Sequence, residues 1–304
     1  MSEKGAVIDL GTNTWHLLVG RFDESGHIER LFHERRYVFL YSQGKERIGP
    51  EPYGKALAAM AHYQQVIDEM GVQTVAANGT EGLRKAENGV DLLREIKAKT
   101  GLEVNLIDGE QEAQFTAKGI DVAMKMSGLA SRNQLVMDIG GGSVELMWRL
   151  DGVQQRVGSF PIGLGVMYPR FMAGEYLEAS EILDLRRWLA SHLTVFFQML
   201  PSTDRPTLVG AAGTFEILAE VADPNVKRLP ATIIKTKDLR PLLTRLMTST
   251  MAERRAMPGI DEERLSMMPV AAFLVDYVLD FCDAEQVIVS RYGLKEGALR
   301  ELLQ

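Results

Sequence analysis

Apolar and polar positions change rhythm several times along the chain, first in short runs and then at helical spacing. Ala6-Val7-Ile8-Asp9-Leu10 is an apolar run closed by Gly11. Trp15 to Gly20 is a second run, and Asp23-Glu24-Ser25-Gly26 turns the chain into a third. Three strands joined by tight turns are predicted. From Pro52 to Met70, the residues Ala56, Met60, Tyr63, Ile67 and Met70 recur with a helical period, and Gly71 stands where a C-cap belongs. Strands are predicted over 72–77 and 102–107, with a helix over 90–99 between them. Asp108, with Gln111 three positions on, reads as a capping box. It opens a helix striped with Ala113, Ala117, Ile120 and Met124.

The pattern then starts again. A polar break at Ser127-Gly128 and Ser131-Arg132-Asn133 precedes a strand over 135–139, the turn Gly140-Gly141-Gly142-Ser143 and a strand over 144–148. Asp151-Gly152 signals a hairpin into a third strand. Helices are predicted over 178–200, 213–222, 237–248 and 262–282, then a strand over Gln286–Ser290 and a last helix over Leu294–Leu303. Laid over one another, Val7–Thr14 and Val136–Ser143 match or are conservatively replaced at six positions, at an offset of 138 − 9 = 129 residues. A repeat of this size predicts two tandem α/β domains of one design, facing each other across a cleft.

Composition narrows the function classes. The chain has 304 residues, 46% hydrophobic and 25% charged, which fits about two globular domains. Its single cysteine, Cys282, excludes an internal disulfide and a thiolate metal cluster, and its apolar neighbours make it a core residue. The net charge of −7 argues against a protein that coats duplex nucleic acid. The N-terminal apolar run is broken by Asp9, and Met267–Val275 contains Pro269 and stops at Asp276. Neither approaches the ~20 apolar residues of a spanning helix. A soluble, cytoplasmic protein without a membrane partner is expected.

The candidate chemistry lies in the glycine turns. A Gly-rich turn between strands lets backbone N–H groups converge on an anion. Thr12, Thr14 and Ser143 add hydroxyl donors there, and Asn13 adds an amide. Asp9 and Asp138, just before each turn, repel a phosphate unless a divalent cation or its water lies between. A single such turn is most simply a tight β-turn with Asp as turn former. Two at matched positions, followed by Gly210-Ala211-Ala212-Gly213-Thr214, favour phosphate binding.

With these motifs assembled, the sequence resembles the exopolyphosphatase/guanosine pentaphosphate phosphatase (Ppx/GppA) family along essentially its whole length. Asp9-Leu10-Gly11-Thr12-Asn13-Thr14 and Asp138 to Leu146 are similar to the family's paired phosphate loops. Gly79 to Ala86 matches its Thr-x-x-x-Arg segment, and Ile107 to Ala113 its Ile-x-Gly-x-Glu-Glu-Ala segment. Gly210 to Thr214 matches a later Gly-rich loop, and Val289 to Gly297 the closing motif. The resemblance implies two ribonuclease-H-like domains of the actin-like ATPase superfamily. They are expected over 1–128, joined by the C-terminal helix 294–304, and over 129–293. It implies Glu112 as general base for the attacking water, although position alone suits a helix N-terminal acid. Arg84 is implied as a phosphate clamp, a task suited to a guanidinium. Gly11, Thr12, Asn13, Thr14, Gly140, Gly141, Gly142, Ser143, Gly213 and Thr214 are implied as phosphate-binding residues. Asp138, Glu145 and Asp9 are implied as ligands of Mg²⁺ or Mn²⁺. The first-repeat counterpart of Glu145 is His16, an asymmetry that suits a single metal.

Departures from the family pattern concern substrate contacts. Gln111 replaces the first Glu of Glu-Glu-Ala, the segment Arg35 to Leu40 does not follow the family's strand, and Ser266 stands where an acid often follows an Arg near Arg264. The expected substrate is inorganic polyphosphate, cleaved at its end, and the alternative is guanosine pentaphosphate. A homodimer is expected. A basic track of Arg35, Arg36, Lys45, Arg47, Arg84 and Lys85 is expected to attract the polyanion. An actin-like phosphotransferase and a non-hydrolytic alarmone sensor are weaker readings. Glu112, which the resemblance implies as the water-activating base, speaks against the first, and the presence of Glu112, Asp138 and Glu145 speaks against the second.

Overall fold

The computed structural model describes residues 3–44, 46–223, 229–282 and 285–304. The chain divides into two compact units, Met1–Val122 with Gly140–Gly142 and Tyr292–Gln304, and Ala123–Ile139 with Ser143–Arg291. Each has its own apolar core. One gathers Ile8, Leu10, Trp15, Leu17, Met60 and Tyr63, the other Met137, Leu146, Leu189, Phe215, Leu243 and Val278.

The first unit contains β1 (Gly5–Leu10), β2 (Thr14–Phe22), β3 (Ile28–Tyr37), α1 (Pro50–Glu69), β4 (Thr74–Gly79), α2 (Glu81–Lys85), α3 (Gly89–Thr100), β5 (Val104–Leu106) and most of α4 (Gly109–Met126). The second contains β6 (Asn133–Ile139), β7 (Val144–Leu150), β8 (Val153–Phe160), α5 (Leu164–Phe171), α6 (Ala179–Phe197), β9 (Thr207–Ala211) and α7 (Ala212–Ala222). It continues with β10 (Ala231–Lys235), α8 (Thr236–Thr248), α9 (Met251–Arg255), a 3₁₀ turn (Glu262–Arg264), α10 (Met268–Leu279) and β11 (Gln286–Ser290). α11 (Leu294–Leu302) belongs to the first unit.

The two sheets repeat one topology. Sheet one runs β3-β2-β1-β4-β5, with an antiparallel meander on one side of β1 and parallel strands on the other. Sheet two runs β8-β7-β6-β9-β11 in the same sense, with β10 added antiparallel at the edge. This is the ribonuclease-H-like arrangement, twice. The register carries the repeat down to single residues: Asp9 stands opposite His16 as Asp138 stands opposite Glu145.

Local signals held where short-range chemistry decides. Asp108 and Gln111 form the reciprocal box that opens α4, with N···O distances of 2.8 and 3.1 Å. Asp151 and Gly152 both have positive φ (51° and 77°), the pairing that a two-residue type I′ hairpin requires. The differences are tertiary in origin. β4 covers 74–79 instead of 72–77, because Val72 closes α1 through its N–H on the Ile67 carbonyl and pairing with β1 sets the strand. The helix expected over 262–282 is interrupted: Pro269 lacks an N–H and sits in the first turn of α10, after the separate turn at 262–264.

Two glycine contacts fix α4. A Cβ on Gly119 would strike the Gly293 carbonyl, and one on Gly297 the Phe115 carbonyl, so the backbones of α4 and α11 pack directly against each other. α11 is secured by the buried Glu296, which accepts from Arg30 at 2.7 Å and from the Gly293 N–H at 2.8 Å. Burial pushes the Glu296 carboxyl up, but Lys295 and Arg30 outweigh it and hold the group below the usual range. Gly297→Ala is therefore expected to lower stability by about 1–3 kcal/mol, through overpacking. Gly54→Ala, in an open helical position, is expected to raise it by roughly 0.5–1 kcal/mol. Thermal melts of both variants check this; equal melts would show that the α4–α11 contact yields at no cost.

Candidate functional site

On the first unit, the β1–β2 turn is held by its own backbone and by a buried indole. The Gly11 N–H reaches the Thr14 carbonyl at 3.1 Å, and Trp15 Nε1 donates to the Gly11 carbonyl at 3.0 Å. Tyr63 in turn donates to the Trp15 carbonyl at 2.8 Å. The carbonyls of Thr12 and Asn13 are taken by the N–H groups of Leu40, Val38 and Phe39, which fixes the turn from one side. Gly140–Gly142 cluster with this unit. A Cβ on Gly141 would fall 2.6 Å from the Asn13 side chain, so the two glycine turns of the repeat lie against each other.

The β4–α2 junction docks on the same turn, since Thr80 donates its N–H to the Leu10 carbonyl at 3.2 Å. α2 carries Arg84, and the first turn of α4 carries Glu112. Although 28 residues apart, they meet: Arg84 Nη1 lies 2.7 Å from Glu112 Oε1 and also donates to the Ile107 carbonyl. Glu112 is 7% exposed. A buried carboxylate and a partly exposed guanidinium thus form one pair, the expected base holding the expected clamp.

On the second unit, Asp138 and Glu145 occupy one register pair of antiparallel β6 and β7. Cross-strand partners project on the same sheet face, with Cβ atoms about 5 Å apart. Glu145 is buried and accepts from Ser159 Oγ at 2.7 Å, which orients its carboxylate. Among the described residues no group of three or more His, Cys, Asp and Glu forms a metal cage. Two hard carboxylates suit Mg²⁺, which commonly takes one or two carboxylates and fills its remaining positions with water and substrate phosphate. Asp9 occupies the matching place in the first repeat, opposite an imidazole.

The third glycine turn joins β9 to α7. Gly213 has φ 39° and ψ −102°, a conformation that favours glycine. The Arg264 guanidinium covers it, with nitrogens 3.3 and 3.5 Å from where a Cβ would stand, and Thr214 beside it is buried.

The basic track changes character in the structure. Arg36 pairs with Glu34 at 2.6 Å, Arg84 with Glu112 and Lys85 with Glu81, while Arg35 stacks on Tyr37. Lys45 lies outside the described residues. Arg47 is exposed. The charges of Arg36, Arg84 and Lys85 are locally compensated, so the unit offers less long-range attraction to a polyanion than a count of its cations suggests.

The sequence profile of the Ppx/GppA phosphatase family matches residues 21–304. The chain belongs to this family. Exopolyphosphatase 1 of Mycobacterium tuberculosis is 24% identical over 303 residues, spanning 96% of this chain and 86% of the relative. The crystal structure of an exopolyphosphatase from Cytophaga hutchinsonii superposes with a TM-score of 0.92 at 31% identity, covering 99% of this chain and 98% of that one. The Aquifex aeolicus Ppx/GppA family member shares the fold, with a TM-score of 0.83 at 22% identity over 99% and 97% of the two chains. As a Ppx/GppA phosphatase, the protein is a hydrolase acting on phosphoanhydride bonds.

Three features of this Ppx/GppA chain escaped the sequence reading. Ser159 holds Glu145 through a β7–β8 pairing that only the hairpin register reveals. Arg264 reaches the Gly213 turn from 51 residues away. Glu81, one residue before Gly82 in the Thr-x-x-x-Arg segment, is buried beside Thr12 and Gly142.

Proposed function

We propose that the protein is an exopolyphosphatase that releases orthophosphate from the end of inorganic polyphosphate. The observation that carries this reading is the Arg84–Glu112 pair beside the glycine turns, in a fold shared over 99% of the chain with an exopolyphosphatase. Arg84 exchanges its carboxylate partner for oxygens of the terminal phosphate, and Glu112 then faces a water. As the water oxygen bonds to phosphorus, its proton passes to Glu112, the bridging P–O bond breaks, and the shortened chain leaves with the bridging oxygen. The N–H groups of Thr12 and Asn13 and of the Gly140–Gly142 turn stabilise charge on the phosphoryl oxygens.

Asp138 and Glu145 are the residues that would hold Mg²⁺, which when bound neutralises charge on the phosphoanhydride. Chelation with EDTA is expected to abolish turnover and added Mg²⁺ or Mn²⁺ to restore it, and full activity in metal-free buffer would refute that assignment. Guanosine pentaphosphate is the second reading. A guanine-selective site needs buried polar groups that read the base, and the third glycine turn offers only Thr214 and Arg264. Phosphate release from long-chain polyphosphate, guanosine pentaphosphate and ATP, side by side, tests the proposal. A higher kcat/KM on polyphosphate supports it; an equal or higher value on guanosine pentaphosphate overturns it.

A further inference from the structure

Glu81 is a buried carboxylate that the reaction above does not use. The residue is 6% exposed, and its Oε1 pairs with Lys85 one turn on. Among the described residues its Oε2, which is buried, has no hydrogen-bond partner. A buried carboxylate oxygen left unsatisfied costs desolvation free energy that some partner must offset. The surroundings name that partner's chemistry. Oε2 points to the place where a Cβ on Gly142 would stand, and a Cβ there would collide with it. Thr12 Oγ1 lies 2.9 Å from the same point. Two oxygens, one of them unpartnered, therefore crowd the same side of Gly142, and they fit there because residue 142 has no side chain.

A phosphate oxygen cannot meet a carboxylate oxygen there without repulsion. A divalent cation can, since Mg²⁺ is bound through one or two carboxylates, hydroxyls, water and substrate phosphate together. We infer that Glu81 Oε2 and Thr12 Oγ1 are ligands of a divalent cation that arrives with the phosphate chain. The assignment rests on the reading that phosphate occupies these turns. It adds a carboxylate of the first unit, in which Asp9 is the expected one. Lys85 leaves the role intact, because it occupies only Oε1 and its side chain is more than half exposed.

Mn²⁺ titrations followed by the loss of the free-ion EPR signal, with and without inorganic phosphate, test the inference on the full chain. The wild-type protein should bind Mn²⁺ more tightly when phosphate is present. Glu81→Gln should weaken that phosphate-assisted binding at least tenfold, whereas Lys85→Ala should preserve or strengthen it. A role confined to the Glu81–Lys85 pair would instead weaken both variants alike. Glu81→Cys supplies a positive readout that survives a loss of stability, because a thiolate shifts preference from Mn²⁺ toward Cd²⁺. Wild-type Mn²⁺ affinity in Glu81→Gln, or an unchanged Cd²⁺/Mn²⁺ preference in Glu81→Cys, overturns the inference. Absence of phosphate-assisted Mn²⁺ binding in the wild type overturns the reading on which it rests as well.

Discussion

Glu112→Gln is expected to lower kcat on polyphosphate by roughly 10²–10⁴-fold, the range for loss of a general base, and to leave KM nearly unchanged. Glutamine has the volume of glutamate and keeps an oxygen that accepts from Arg84 Nη1, so the 2.7 Å contact and the packing of α4 can persist. What it loses is the capacity to take a proton. The site is set up to make that loss decisive. Glu112 is almost fully buried, its backbone is fixed in the first turn of α4 by the Asp108 box, and α4 is locked by the glycine contacts with α11. A helix N-terminal acid that only balances the macrodipole would contribute about 0.3–1 kcal/mol of stability and nothing to turnover. Single-turnover phosphate release with a thermal melt separates the two roles. Near-wild-type turnover with a lowered melting temperature would move the base elsewhere.

How far the sequence reaches into this site follows from the range of the interactions. The Asp108–Gln111 box and the Asp151-Gly152 turn depend on neighbours within three residues, and both are legible before any fold is known. The duplication is legible for another reason: each glycine turn must present the same backbone, so the residues around Asp9 and Asp138 are constrained alike. The repeat then carries through to the register of Asp9 with His16 and Asp138 with Glu145. Edge strand β10 is not legible. It alternates only weakly, and its partner β11 lies 55 residues later. Of the ion pairs that mute the basic track, Arg84–Glu112 is hidden as well, because the two meet only after β4, β5 and α4 have packed. Glu81 is the clearest case. In the chain it is one more polar residue beside Lys85, and only its burial and its unpartnered oxygen distinguish it.

Arg84→Ala is expected to raise KM and lower kcat together, because a clamp on phosphate oxygens acts in the ground state and more strongly in the transition state. Loss of a charge-assisted hydrogen bond is worth about 1.5–3 kcal/mol. At 1.36 kcal/mol per decade, that is roughly a tenfold to 150-fold fall in kcat/KM. Arg84→Lys should recover part of KM but little of kcat, since an ammonium keeps the charge and loses the planar fork. The pair itself supplies the sharper test. Arg84 and Glu112 are in contact at 2.7 Å, so their replacements should not add. If Arg84 both orients Glu112 and binds phosphate, the double variant Arg84→Ala/Glu112→Gln should lose less activity than the product of the two single losses. Once the base is gone, orienting it has no value, and only the binding share of Arg84 remains to be lost. A strictly multiplicative double variant would mean that the guanidinium and the carboxylate act on the phosphate independently. The pair would then be a resting contact with no part in turnover.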